Sequence, residues 1–321
     1  MDIGTTLPTG CTDGYQVSPD ALRRWARDAE DAGFAGLWVL DHIVKPDTYV
    51  TSVLNPLVTL SHAAGITDTI PLGTSILLLP LRGAANTADA ALSLRYLADR
   101  EITLGLGVGY VPEEFEVTGI PFKQRGPRLS EGIDVLQTLF SEEGSYHSRF
   151  HDFENITIDP TVEEPPRLLA GGSSLFTDGT MPEPMLNRIV TVRGWIAPPI
   201  PPEQAANDGA AIDSYAEQVG VDSTDIDRVA LTYCYVVDTD DRQEAYHHQR
   251  NAFAEFFSAQ RGFEHARECC LTGSVSDIHR QLHDYEDAGF DQLIVGSPAH
   301  TRENLAEQMD LLTDTVLNQW D

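Results

Sequence analysis

The feature that most restricts what this chain can fold into is a sustained alternation of two periodicities. Eight short apolar runs, at residues 2–7, 36–40, 70–79, 102–108, 167–170, 194–197, 229–237 and 292–295, read as buried strands. Segments of helical period fall between and after them, at 19–32, 55–65, 87–98, 129–140, 184–192, 204–219, 242–261, 276–288 and 302–318. An internal echo reinforces the repeat. Glu30-Asp31-Ala32-Gly33-Phe34 leads into Leu37-Trp38-Val39, and 256 residues later Glu286-Asp287-Ala288-Gly289-Phe290 leads into Leu293-Ile294-Val295. Each copy is a helix stopped by glycine, where a left-handed cap carries no steric penalty, followed at once by a buried strand. Eight such units predict a single α/β domain over 1–321, a (β/α)8 TIM barrel with insertions after strand four (110–128) and ahead of strand five (141–166). The second insertion, with Tyr146, Phe150 and Phe153, reads as a hairpin or extended flap. A doubly wound open sheet is disfavoured, because the first strand is followed by Pro8-Thr9-Gly10 and not by a dinucleotide-binding glycine pattern.

Charge narrows the partners. Fifty acidic residues against 21 basic ones give −29, and only Lys45 and Lys123 among the basic residues are lysines. Such a surface repels nucleic acid and anionic lipid, whose binding draws on phosphate neutralisation. The scarcity of lysine within this acidity points to a halophilic source, where salt screens the self-repulsion. No basic-then-apolar segment follows Met1, and no apolar run approaches a bilayer span, so a soluble, cytoplasmic protein is expected. Cys11, Cys234, Cys269 and Cys270 form no C-x-x-C pair and read as free thiols of a reducing compartment. No metal motif is present, and His247-His248 reads as a solvated pair in a polar helix.

In a barrel of this kind the chemistry sits at the carboxyl ends of the strands. Asp41-His42 follows strand two, and is either a loop cap beside a satisfied histidine or an acid–base and substrate-orienting pair. Gly105 to Tyr110 follows strand four, with alternating glycines that suit either barrel packing or the approach of a flat ligand. Ala170-Gly171-Gly172-Ser173-Ser174 follows strand five, and is either an ordinary turn or a phosphate cradle of backbone N–H groups and hydroxyls. Ser75 interrupts the apolar third strand.

Together these junctions resemble the luciferase-like superfamily of flavin- and deazaflavin-dependent oxidoreductases, most closely the branch that uses coenzyme F420. The likeness is carried by Ala29 to Phe34 leading to Leu37 to His42, by Val44, Pro46 and Tyr49, and by Leu72 to Leu77. It continues through Leu104 to Tyr110, Glu114-Phe115, Gly119 to Phe122, Arg125-Gly126 and Gly171-Gly172. The resemblance implies a coenzyme ring in the barrel mouth, F420 by preference and FMN as the alternative, with its phosphate on the Gly171, Gly172, Ser173 and Ser174 loop. It implies a non-prolyl cis peptide at Ser75-Ile76 against one face of the ring, Gly109 and Tyr110 along the ring or tail, and His42 with Asp41 beside the substrate. The implied activity is hydride transfer between F420 and a small organic substrate by a homodimer. An FMN-dependent monooxygenase is the runner-up, and a ligand-binding barrel without turnover is the third reading. Glu114 and Arg125 are expected to form a structural ion pair. The motif before strand six departs from the family's pattern, reading Asn187-Arg188-Ile189-Val190 and then Arg193-Gly194-Trp195, and Arg188 and Arg193 are the expected partners of an anionic tail.

Overall fold

The computed structural model describes residues 1–12, 15–44, 52–141, 144–256, 262–299 and 302–320. Pro46 and Tyr49 of the family-like stretch, and the end of the helix expected over 242–261, lie outside those residues.

The alternation of apolar runs resolves into eight parallel strands: β1 (Asp2–Thr6), β2 (Leu37–Val39), β3 (Leu72–Leu77), β4 (Ile102–Leu106), β5 (Arg167–Gly171), β6 (Gly194–Ala197), β7 (Asp227–Tyr233) and β8 (Gln292–Gly296). They close in sequence order, and β1 pairs with both β2 and β8. The barrel helices are α1 (Pro19–Ala32), α2 (Pro56–Ala64), α3 (Ala84–Ala98), α4 (Arg125–Leu139), α5 (Glu183–Val192), α6 (Pro202–Val219), α7 (Val275–Asp287) and α8 (Arg302–Leu312). Both copies of the echo adopt one geometry. Gly33 and Gly289 have φ of 88° and 86°, and the following Phe34 and Phe290 are buried. A Cβ on Gly33 would meet nothing, so backbone conformation and not space requires glycine there.

Side chains alternate along the strands, as the pleat demands. Val229, Leu231 and Tyr233 of β7 join Trp38, Leu169, Ile196 and Ile294 in one cluster that fills the barrel's lumen. Trp38 fits because three neighbours have no side chain: a Cβ on Gly4, Gly36 or Gly73 would stand 2.9, 2.9 or 2.5 Å from its indole. The larger cluster lies between strands and helices.

Several expected boundaries change. Strand three ends at Leu77, and a short helix, Leu79–Arg82, takes up the rest of that run. Strand seven begins two residues earlier than expected and ends at Tyr233. The first insertion holds a helix, Pro112–Thr118, and the second is the expected hairpin, Gly144–His147 against Asp152–Ile156. A three-stranded sheet at the mouth, Gly10–Thr12, Tyr15–Gln16 and Ser52–Val53, has strands too short for a periodicity signal. Cys234, Cys269 and Cys270 are buried and are in no disulfide among the described residues. No helix of the described residues is long and apolar enough to cross a membrane.

Candidate functional site at the barrel mouth

Asp41 and His42 leave β2 side by side and diverge. The Asp41 side chain is fully buried and turns along the strand ends. It accepts from the Leu78 backbone N–H at 2.9 Å and from Arg82 Nε and Nη2 at 3.2 and 2.5 Å. The carboxylate therefore ties the end of β2 to the start of helix Leu79–Arg82. His42 faces the first insertion instead. Its Nδ1 lies 3.1 Å from Glu114 Oε1, and the Tyr110 hydroxyl is 3.5 Å from Nε2, a long contact. The His42 and Tyr110 rings meet edge to face at 5.8 Å.

Glu114 is the residue that the sequence reading placed elsewhere. It is 0% exposed, and its Oε1 also accepts from the Ile43 backbone N–H at 2.6 Å, while Oε2 has no hydrogen-bond partner. The expected pairing with Arg125 does not form. Arg125 lies over the Phe122 ring at 4.0 Å and donates to the Phe122 carbonyl at 3.2 Å. A sequence signal for Glu114 did exist: Val111, Glu114, Phe115 and Thr118 share one helical face, so this carboxylate stands in an apolar stripe where only a paired charge is tolerated.

On β3 the Ser75-Ile76 peptide is cis, and the pairing with β4 shifts register between Thr74 and Leu77. The Ser75 hydroxyl is buried without a partner. Ile76 covers Gly107, where a Cβ would stand 1.7 Å from its Cδ1. Gly109 has φ 75°, with Phe115 against the place of its missing Cβ, and Tyr110 is exposed. Internal packing thus accounts for the glycines after β4.

The loop after β5 is the largest departure from expectation. Ser173 and Ser174 are buried, and their polar groups converge on Asp208 of α6, itself 2% exposed. The Ser173 hydroxyl donates to Oδ2 at 2.6 Å, the Ser174 N–H donates to Oδ2 at 3.1 Å, and the Ser174 hydroxyl donates to Oδ1. Gln204 Nε2 donates to Ser174 Oγ at 2.7 Å and to Asp208 Oδ1 at 3.1 Å. Gly172 is needed for Met185, whose Sδ would stand 2.5 Å from a Cβ, and the Gly172 carbonyl accepts from Trp195 Nε1 at 2.8 Å. Neither Asp208 nor Gln204 stood out in the sequence. Asp208 does occupy the buried stripe of α6 with Ala205, Ile212 and Ala216, the same signal as Glu114.

The two arginines expected near an anionic tail bond to other groups, and the Arg188 Nε is buried with no hydrogen-bond partner. Arg193 follows α5 at the foot of the barrel and pairs with Asp225 at 2.6 Å, on the opposite face from the mouth. Arg188 is buried and donates to Ser130 Oγ at 3.0 Å, and burial lowers its basicity. Two cavities open on the β1, β7 and β8 side of the mouth. One, of about 40 Å³, is lined by Leu7, Thr9, Leu40, Tyr233 and Phe256, and the other, of about 170 Å³, by Tyr235, His248, Asn251 and Pro298. Neither is lined by His42.

Comparison with known proteins adds to this geometry. The family described as luciferase-like monooxygenase matches residues 1–315. An F420-dependent glucose-6-phosphate dehydrogenase of Kineococcus radiotolerans is 32% identical over 164 residues, covering 49% of this chain and 48% of its own length. The chain spans between 35% and 62% of the length of curated relatives it matches. Among solved structures, the monooxygenase RslO1 from Streptomyces bottropensis has a TM-score of 0.82 at 19% identity, covering 100% of both chains. An F420-dependent secondary alcohol dehydrogenase in complex with an F420–acetone adduct has a TM-score of 0.76 at 16% identity, covering 98% of each. At these identities the likeness is one of fold.

Proposed function

The chain belongs to the luciferase-like monooxygenase family, and on that footing we propose that it is an oxidoreductase whose barrel mouth passes a hydride between the deazaflavin coenzyme F420 and a small organic substrate. The observation that carries the reading is His42 at the barrel mouth, with the buried Glu114 carboxylate at its Nδ1 and the Tyr110 hydroxyl at its Nε2. Curated relatives described as F420-dependent, 32% and 27% identical, support the choice of coenzyme.

The residues present fit the ring end of such a coenzyme and not its phosphate end. Around the mouth, the Ser75 hydroxyl and Glu114 Oε2 are buried polar atoms without partners, the state expected of groups awaiting a ligand. At the loop after β5, by contrast, both serine hydroxyls and the Ser174 N–H are already spent on Asp208. When bound, the coenzyme would carry the electron pair, and the protein supplies orientation and a proton.

The proton route follows from the hydrogen bonds. Glu114 accepts from His42 Nδ1–H and so favours the tautomer whose ring lone pair is on Nε2. Nε2 then takes a proton when the substrate is oxidised and returns it when the substrate is reduced. The Tyr110 hydroxyl, on the Nε2 side, borders the same position. Asp41 acts at one remove, setting the course of the chain into His42 through Leu78 and Arg82.

The test is anaerobic turnover. Oxidised F420 is mixed with a panel of small alcohols, and reduced F420 with the matching carbonyl compounds. The coenzyme spectrum should change with at least one pair in the wild type, and about a hundredfold or more slower with His42→Ala. Turnover seen only with reduced FMN and oxygen would overturn the hydride-transfer reading in favour of a monooxygenase.

A further inference from the structure

We propose that the loop after β5 is an anion site filled from within, with the Asp208 carboxylate standing where a ligand phosphate would, so that this chain recognises a flavin-class ligand by its ring and without a phosphate contact at that loop. Four donor groups belong to the site: the two serine hydroxyls, the Ser174 N–H and the Gln204 amide. Such a set suits an oxyanion. A carboxylate offers about four acceptor positions, and here all four are used, so the donors are spent as well.

Admitting a phosphate would strip Asp208 of these bonds inside the protein. No arginine or lysine of the described residues pairs with Asp208, so a displaced carboxylate would face the incoming anion without a compensating charge. The net charge of −29 adds to that repulsion. Asp208 is also not a swinging side chain at a loop tip. It projects from the middle of α6, on the face that Ala205 and Ile212 bury.

The ligand half of this inference rests on the coenzyme reading above, whereas the anion-site half does not, and the experiment separates them. Fluorescence titration compares FMN with riboflavin, and F420 with its phosphate-free chromophore, in the wild type and in Asp208→Ala. In the wild type, the members of each pair should bind within about threefold of each other. In Asp208→Ala, the phosphorylated member should gain about tenfold or more. A wild type that prefers the phosphorylated member by more than about tenfold overturns the proposal. In parallel, melting temperature is measured in inorganic phosphate against potassium chloride of equal ionic strength. Phosphate should stabilise Asp208→Ala and leave the wild type unmoved, and the opposite pattern overturns the inference. If no flavin or deazaflavin binds, the coenzyme reading fails and the phosphate arm alone decides. Asp208→Asn, neutral and of the same shape, replaces the alanine variant if that one does not fold.

Discussion

His42 and Asp41 are adjacent in sequence and opposite in role, and nothing local distinguishes them. Their partners decide: Asp41 is bound by groups 37 and 41 residues away, His42 by a carboxylate 72 residues away. The account predicts that His42→Ala lowers the pre-steady-state rate of coenzyme oxidation by roughly 10²–10⁴-fold, the range for a positioned acid or base. Its melting curve should stay close to that of the wild type. A normal rate with a depressed melting temperature would return the histidine to the scaffold. Glu114→Gln should lower the same rate by roughly tenfold or more, because an amide can present either its oxygen or its NH2 group to Nδ1 and no longer fixes the tautomer. A variant as fast as the wild type would remove Glu114 from the proton route. At this scale the sequence showed where to look but not what each residue does. Asp41-His42 and the Gly/Ser loop stand at strand ends, as the periodicity predicted, and Ser75 lies within β3. Glu114 and Asp208, which determine what those residues can do, are set by contacts that cross the mouth.

Elements were legible where one periodicity runs long enough, and obscure where a few residues make a structure. All eight strands are visible because a barrel strand is buried on both faces and reads as an apolar run. Helix Pro112–Thr118 is only seven residues long, which leaves its apolar face little room to show. Helix caps are the exception, since their chemistry is local. Ser274 and Asp277 form a capping box at the start of α7, and Asp277 also accepts from Arg242 Nε at 2.7 Å and Arg280 Nη2 at 3.0 Å. The Arg242 guanidinium, with Arg280 and Ser274, holds the Asp277 carboxyl well below the usual carboxylate range. A carboxyl depressed in the folded state contributes stability above its unfolded pKa, about 3.9, and loses it as pH falls further. Asp277→Asn should therefore cost about 1 kcal/mol at neutral pH and flatten the acid limb of stability below about pH 4. Both arginines are largely exposed, so the ion pairs add little to that figure. Urea melts between neutral pH and pH 3 would read both effects, and an acid limb as steep as the wild type's would contradict the assignment.

At the scale of the whole molecule, the fold gives the chemistry its place and the charge sets the conditions under which it runs. A net charge of −29 opposes both compaction and the approach of an anionic coenzyme, and salt relieves both. The melting temperature should rise steadily from dilute buffer to molar potassium chloride, and a flat profile would sink the inference of a halophilic source. The scaffold itself was largely readable from the sequence, because closure of eight βα units follows from order and spacing. Ligand chemistry was less so, because the loops that shape the pocket carry no period. The central claim is that the mouth is a coenzyme F420 site organised around His42. It is tested most directly by fluorescence titration of the purified protein with F420 and with FMN in molar potassium chloride. The account predicts saturable binding of F420, about tenfold or more tighter than FMN, with little change in affinity for His42→Ala. Absence of saturable F420 binding by the folded protein would contradict it.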